Sequence, residues 1–266
     1  MIYVVPSLKA KEKLQSEGKA WAESQGFTYV PRGKRTIQDL MDEYGEDFLV
    51  YSSRGPQIDR PEGSHFFSLN MAELRIQNLR KGQRDHLLEA LMGRGSSKLP
   101  ITVLDCTCGF GADAAVASFG LPTGSRVDAL EVSPLLEAVT SWGFSHFVHK
   151  KDDVTAALRR ISLRRGDYRD YLLSDEGPVY DVLYLDPMFQ RPVEASCQFQ
   201  PVRAIMEHGG LTRDLIERAL QKARRRVVIK ERDFRQLCRD FPEAVLYGGK
   251  YSRIGYAVLE CDSWKK

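Results

Sequence analysis

Asp186-Pro187-Met188-Phe189 places a carboxylate, a rigid turn and an aromatic ring within four residues. Chemistry on an exocyclic amine needs that combination. Such a nitrogen is conjugated to its ring and poorly nucleophilic. Acceptors for its N–H protons bias it toward presenting a lone pair, and an aromatic face stacks the base. Alkylation of that nitrogen is then a displacement in which proximity and alignment supply much of the rate. A strand cap with Phe189 in a core is the competing reading of these four residues taken alone.

A second constellation lies upstream, in Val103-Leu-Asp-Cys-Thr-Cys-Gly-Phe-Gly-Ala-Asp113. An apolar run leads into two glycines and an Ala-rich segment, the order strand, turn, helix N-terminus. Glycines admit a ligand close to the backbone, and free N–H groups at the helix start point toward it. Counting from Gly109, Gly111 and Ala114 complete a G-x-G-x-x-G/A spacing, and Glu131 follows about 20 residues beyond Gly111, where a ribose ligand is expected. The spacing alone also suits a plain turn, and Asp113 alone suits a first-turn helix acid. Asp105 and Asp113 select the ligand. Two like charges ~4 Å apart at an effective dielectric of ~20 repel by about 4 kcal/mol, so a pyrophosphate is disfavoured between them. S-adenosylmethionine has no phosphate and carries a sulfonium and an ammonium; it fits where a nicotinamide dinucleotide does not.

The elements that must position these residues alternate. Ile101–Leu104 reads as strand and Ala112–Phe119 as helix. Arg126–Val132 is strand and 134–148 helix, with Pro134 near its first turn. Asp152–Arg160 is a short helix, and a brief strand at Ile161–Leu163 leads to Gly166-Asp167. Val179–Leu185, apolar apart from Asp181, is a strand buried on both faces. Leu211–Ala223 is helix and Arg226–Lys230 strand, and 244–247 with 256–260 close the sheet as a final hairpin. This predicts a mainly parallel sheet with helices on both faces, which binds ligands beyond its strand C-termini. Asp105, Glu131, Asp167 and Asp186 all fall on that rim.

Upstream, residues 1–60 alternate short strands (2–5, 27–30, 48–51) with helices (9–25, 37–44) and read as a small α/β domain. Arg32, Lys34 and Arg35 form a basic turn, read as solvated in preference to an RNA contact. The polar stretch 56–65 reads as linker. Residues 61–98 as a whole make a linker and basic helical connector carrying Arg75, Arg80, Lys81 and Arg84, broken at Gly82. Residues 99–266 form the remaining domain.

Leu104–Ala114 resembles motif I of class I S-adenosylmethionine-dependent methyltransferases, and Asp186–Phe189 is similar to the D/N-P-P-Y/F motif of amine-methylating members. The likeness extends over about residues 65–260 to the bacterial small-subunit ribosomal RNA guanine-N2 methyltransferases and their relatives, through Asp105–Ala114 and Tyr184–Phe189. It implies a Rossmann-like α/β sheet, mostly parallel with a final antiparallel hairpin. It implies S-adenosylmethionine as cofactor, held by Asp105, Thr107, Gly109, Gly111, Ala112, Asp113, Glu131, Val132, Asp167, Tyr168 and Asp186. It further implies catalysis by Asp186, Pro187, Met188 and Phe189, and RNA as the partner, as ribosomal RNA or the small subunit. The chain departs from that family in residues 1–60 and at Gln190-Arg191-Pro192. Both departures leave open another nucleobase amine, a small molecule, or cofactor binding without turnover.

Composition is compatible with this. The chain has 266 residues, is 42% hydrophobic and 28% charged, and has a net charge of +3, which permits an RNA partner without requiring one. Five cysteines without a C-x-x-C pair suit a reducing compartment, and no metal site is expected. Met1–Pro6 is too short for a signal h-region, and no stretch reaches the roughly 18 apolar residues of a membrane span. A cytoplasmic location is expected.

Overall fold

The computed structural model describes residues 1–93, 99–186, 210–248 and 254–263. They fall into two compact units. The first contains residues 1–68 and 133–147, the second 69–132, 148–186 and the described residues from 210 onward.

In the first unit β1 (Tyr3–Pro6) pairs in parallel with β2 (Thr28–Tyr29) and β3 (Phe48–Ser52). The sheet then turns antiparallel through β4 (Gly55–Arg60) and β5 (Gly63–Phe66), giving the order β2-β1-β3-β4-β5. Helices α1 (Glu12–Ser24) and α2 (Ile37–Tyr44) belong to the same unit; Thr36 and Asp39 close a capping box on α2. The stretch 56–65, expected as linker, is therefore the β4–β5 pair. Its polar residues satisfy one another, as Gln57 Nε2 donates to both oxygens of buried Asp59 at 2.8 and 2.9 Å, and Arg60 donates to the carbonyls of Asp59 and Glu46. A polar sequence can thus form a buried strand. The basic turn also differs from its expected solvation: Arg32 is buried and exchanges hydrogen bonds with Arg35, which pairs with Glu43.

In the second unit α3 (Asn70–Arg80) and α4 (His86–Met92) are separated at Gly82, whose φ of 75° only glycine adopts readily. The sheet is formed by β6 (Thr102–Asp105), β7 (Arg126–Glu131), β8 (Ile161–Arg165), β9 (Val182–Leu185), β10 (Arg226–Glu231), β11 (Val245–Gly248) and β12 (Gly255–Glu260). Its order is β11-β12-β10-β9-β6-β7-β8. The five strands from β10 to β8 run parallel, and β12 is inserted antiparallel to both β10 and β11. The chain reverses its winding direction between β6 and β9, which opens the crevice typical of such sheets at their C-terminal rim. Connecting helices are α5 (Ala112–Gly120), α6 (Pro134–His146, grouped with the first unit), α7 (Asp152–Arg159), α8 (Tyr168–Leu173), α9 (Arg213–Lys222) and α10 (Arg235–Asp240). The core is continuous through Leu104, Leu183, Leu185, Val227, Ile229 and Leu259. No helix among the described residues is long and apolar enough to cross a membrane.

Candidate active site

The loop leaving β6 is fixed to both neighbouring strands. Cys106 N–H donates to the Tyr184 carbonyl at 2.8 Å and Cys108 N–H to the Leu130 carbonyl at 2.9 Å. Gly109 N–H donates to Glu131 Oε2 at 2.8 Å, and Asp186 N–H donates to Thr107 Oγ1 at 2.7 Å. Motif I is thereby tied to the ends of β7 and β9. Gly109 and Gly111 take φ of 55° and 75°, and Gly111 caps α5, so Ala112 and Asp113 open the helix. Asp105 closes β6, Glu131 closes β7, and Asp186 follows β9 directly. Asp167 lies two residues past β8 and caps α8 by accepting Arg169 N–H at 2.8 Å. The four acids thus share the rim predicted for them.

What the sequence did not indicate is how Asp113 and Asp186 are paired. Lys230, near the end of β10, places Nζ 2.8 Å from Asp113 Oδ2 and 2.7 Å from Asp186 Oδ2. Tyr184 OH donates to Asp113 Oδ2 at 2.7 Å. Arg75 on α3 donates to Asp113 Oδ1 at 2.5 Å and grips Asp85 through Nε and Nη2 at 2.7 and 2.8 Å. Asp85 in turn accepts Leu87 N–H as the cap of α4. One chain of charges therefore joins α4, α3, α5, β10 and β9.

These contacts split the acids. Burial works against ionising Asp113, but Lys230 and Arg75 together hold its carboxyl well below the usual range. Asp186 shares Lys230 yet is pushed up to about 6, because burial dominates and Asp113 and Glu231 repel it. Burial raises the Asp105 carboxyl strongly too, against a hydrogen bond from Thr107 N–H at 3.1 Å. For Asp167, hydrogen bonds and charge from Arg169 outweigh burial and lower it.

Of the residues singled out in the sequence, Asp105, Thr107, Gly109, Gly111, Ala112, Asp113, Glu131 and Asp186 gather at the loop between β6, β7 and β9. Val132 follows β7 and Tyr168 opens α8, its side chain buried. Pro187, Met188 and Phe189 lie outside the described residues. The basic connector is corrected in part: Arg75 is an internal member of the site, and Arg80 and Arg84 pair with Asp153 and Glu89. Lys230, Tyr184 and Asp85 are functional candidates the sequence reading missed. For Lys230 a signal existed, a cation directly after the buried apolar run Val227–Ile229.

The chemistry of the donor set fits a cationic cofactor. Asp105 is 2% exposed, and both cations of the site are already bound by Asp113, Asp186 and Asp85. An ammonium or sulfonium beside Asp105 relieves that burial, whereas a diphosphate adds to the repulsion.

Comparison with known proteins agrees. The SAM_MT family model of S-adenosylmethionine-dependent methyltransferases matches residues 64–255. The Bacillus subtilis protein YpiP is 28% identical over 230 residues, covering 86% of this chain and 88% of that protein. Ribosomal RNA small subunit methyltransferase J of Saccharophagus degradans is 31% identical over 194 residues, covering 65% of this chain and 71% of the relative. A solved S-adenosylmethionine-dependent methyltransferase from Neisseria gonorrhoeae superposes with a TM-score of 0.61, over 97% of this chain and 95% of that one. At 18% identity this supports the fold alone.

Proposed function

The chain belongs to the S-adenosylmethionine-dependent methyltransferases, and from that premise we propose that it methylates the exocyclic N2 amine of a guanine in ribosomal RNA, acting in the cytoplasm. The second unit, which begins at residue 69 and includes α3 and α4, would carry the transfer, with residues 1–68 belonging to a separate small unit. The observation that carries the reading is Asp186: a carboxylate at the crevice end of β9, with its N–H held by Thr107 and one oxygen held by Lys230. Relatives named ribosomal RNA small subunit methyltransferase J support the substrate class.

The cofactor, when bound, supplies a methyl group on a cationic sulfur that departs as a neutral thioether. Glu131 accepts hydrogen bonds from the ribose hydroxyls while it holds the Gly109 N–H, so loop and ligand are positioned together. Asp105 faces the cationic end. Asp186 accepts an N–H of the target amine and biases its lone pair toward the methyl. As the N–C bond forms from that lone pair, the surplus N–H proton passes to Asp186 and from there to water. Phe189, outside the described residues, is assigned to stacking the base.

The test is transfer of tritiated methyl to ribosomal RNA, small subunits and total tRNA, followed by nucleoside identification. Label in N2-methylguanosine from small-subunit RNA is expected. Label in another nucleoside, or none in any RNA, refutes the proposed substrate.

A further inference from the structure

Beyond the last paired residues of β10 and β9, Ile229 with Leu185, the next residues on the two strands are Lys230 and Asp186. On its other side Lys230 is in register with Tyr256 of β12. A lysine here is flanked by the motif acid on one strand and a tyrosine on the other, and its ammonium also reaches Asp113 on α5. The ammonium is not free to swing. Asp113 is itself fixed by Tyr184 and by Arg75, and Arg75 is fixed by both oxygens of Asp85.

Resting on the reading that Asp186 receives the target amine, we propose that Lys230 is a positioning residue of methyl transfer. Its ammonium holds Asp186 ionised by one oxygen, Oδ2, and leaves Oδ1 for the amine. Oδ1 accepts no hydrogen bond among the described residues. A neutral Asp186 has a protonated oxygen and one fewer acceptor, and it cannot take the proton that the nitrogen must shed. Burial alone drives Asp186 toward that neutral form.

The charges around Asp186 give the idea a sign. It is faced by Lys230 and Glu231 from β10, Asp113 from α5, Asp105 from β6 and Tyr184 from β9. Lys230 is the cation in that set, and Asp113 is an anion that opposes it. Removing Lys230 therefore raises the proton affinity of Asp186. Removing the charge of Asp113 lowers it, although the same salt-bridge cluster is cut in both cases. A lysine that served packing alone produces no such opposition.

The experiment reads the Asp186 carboxyl directly in the cofactor-free protein, by infrared difference titration against Asp186→Asn, and in parallel the pH profile of kcat/KM. In Lys230→Met the carboxyl midpoint is expected to rise by more than about one pH unit, cutting ionised Asp186 roughly tenfold on the acid side, with the acid limb of turnover moving alongside. Asp113→Asn is expected to move the midpoint down, and Lys230→Arg to keep it within about half a unit of the parent. An unmoved midpoint in Lys230→Met, or both variants shifting in the same direction, overturns the proposal. Should Lys230→Met fail to fold, Lys230→Gln is titrated in its place, and an unmoved midpoint there overturns the proposal equally. The titration needs no RNA, so a failure of the proposed substrate is distinguishable from a failure of the role of Lys230.

Discussion

Substituting Arg75 by methionine keeps much of a side chain that spans from α3 to α5 and removes its charge. Three hydrogen bonds go at once, one to Asp113 and two to Asp85. The Arg75 side chain is 26% exposed and both acids are 11% exposed, so the cluster is mostly buried. Removing one partner of a buried pair costs about 3–5 kcal/mol, chiefly by leaving a charge uncompensated. The lower end applies here. Asp113 keeps Lys230 and Tyr184, and Asp85 keeps its cap bonds to α4. At ~2–4 °C per kcal/mol for a domain of this size, about 3 kcal/mol lowers the thermal midpoint by about 6–12 °C. Arg80→Met is the control. It breaks a pair whose members are 35% and 53% exposed, worth about 1 kcal/mol or less.

The acid dependence of the same variant is a second check. Asp113 has a folded-state carboxyl depressed below its unfolded value, by Lys230 and Arg75 against burial. A depressed acid contributes stability that is fully present above the unfolded value, about 4, and is lost as pH falls through the folded one. Part of that contribution belongs to Arg75, so the gap between parent and Arg75→Met narrows as pH falls through the Asp113 carboxyl of the variant toward the lower one of the parent, both below about 4. Calorimetric melting from about pH 2 to pH 8 measures both quantities. A midpoint within about 2 °C of the parent at neutral pH, or a gap that does not narrow in acid, refutes the account of Arg75 as a buried charge clamp.

Glu131→Ala removes the acceptor of Gly109 N–H together with the proposed ribose ligand. At about 1.5–3 kcal/mol per charged hydrogen bond, cofactor affinity measured by calorimetry should fall about tenfold to a hundredfold, and an unchanged Kd removes Glu131 from the site. Phe189→Leu should depress turnover while leaving cofactor affinity nearly intact, since base stacking is worth about 1–3 kcal/mol; normal turnover in a folded variant removes Phe189 from the active site. For RNA contact the exposed pair Arg164 and Arg165 at the end of β8 is the candidate, Arg165 standing in register with Glu131. Replacing each with alanine should reduce the salt slope of RNA binding by about 0.7, and an unaltered slope excludes them from the contact surface.

The rim was legible because a parallel sheet writes its strands as short apolar runs, and the polar residue that ends each run sits where the ligand does. Asp105, Glu131 and Asp186 are all found that way. The six-residue helices α8 and α10 escaped, because so short a helix displays less than two turns of periodicity. The β4–β5 pair escaped for another reason: Gln57, Asp59 and Arg60 look like linker until their mutual hydrogen bonds are seen. Pairing across the sheet left no local trace at all. Lys230 stands 44 residues from Asp186 and 117 from Asp113, and nothing in either neighbourhood announces the other.

That missing pairing changes which acid selects the cofactor. In sequence, Asp105 and Asp113 flank the glycine turn alike, and both argue for a cationic ligand. In the fold, Asp113 is surrounded by an ammonium, a guanidinium and a phenol, so its charge is already answered by the protein. Asp105 accepts a backbone N–H from Thr107, and burial works against its ionised form. A phosphate approaching the loop would meet Asp105 and Glu131 with no cation left uncommitted in the Arg75–Lys230 cluster. A cationic ligand would instead let Asp105 ionise. The preference for a sulfonium cofactor over a dinucleotide therefore rests on Asp105, while Asp113 anchors Arg75 and Lys230, of which Lys230 also pairs with Asp186.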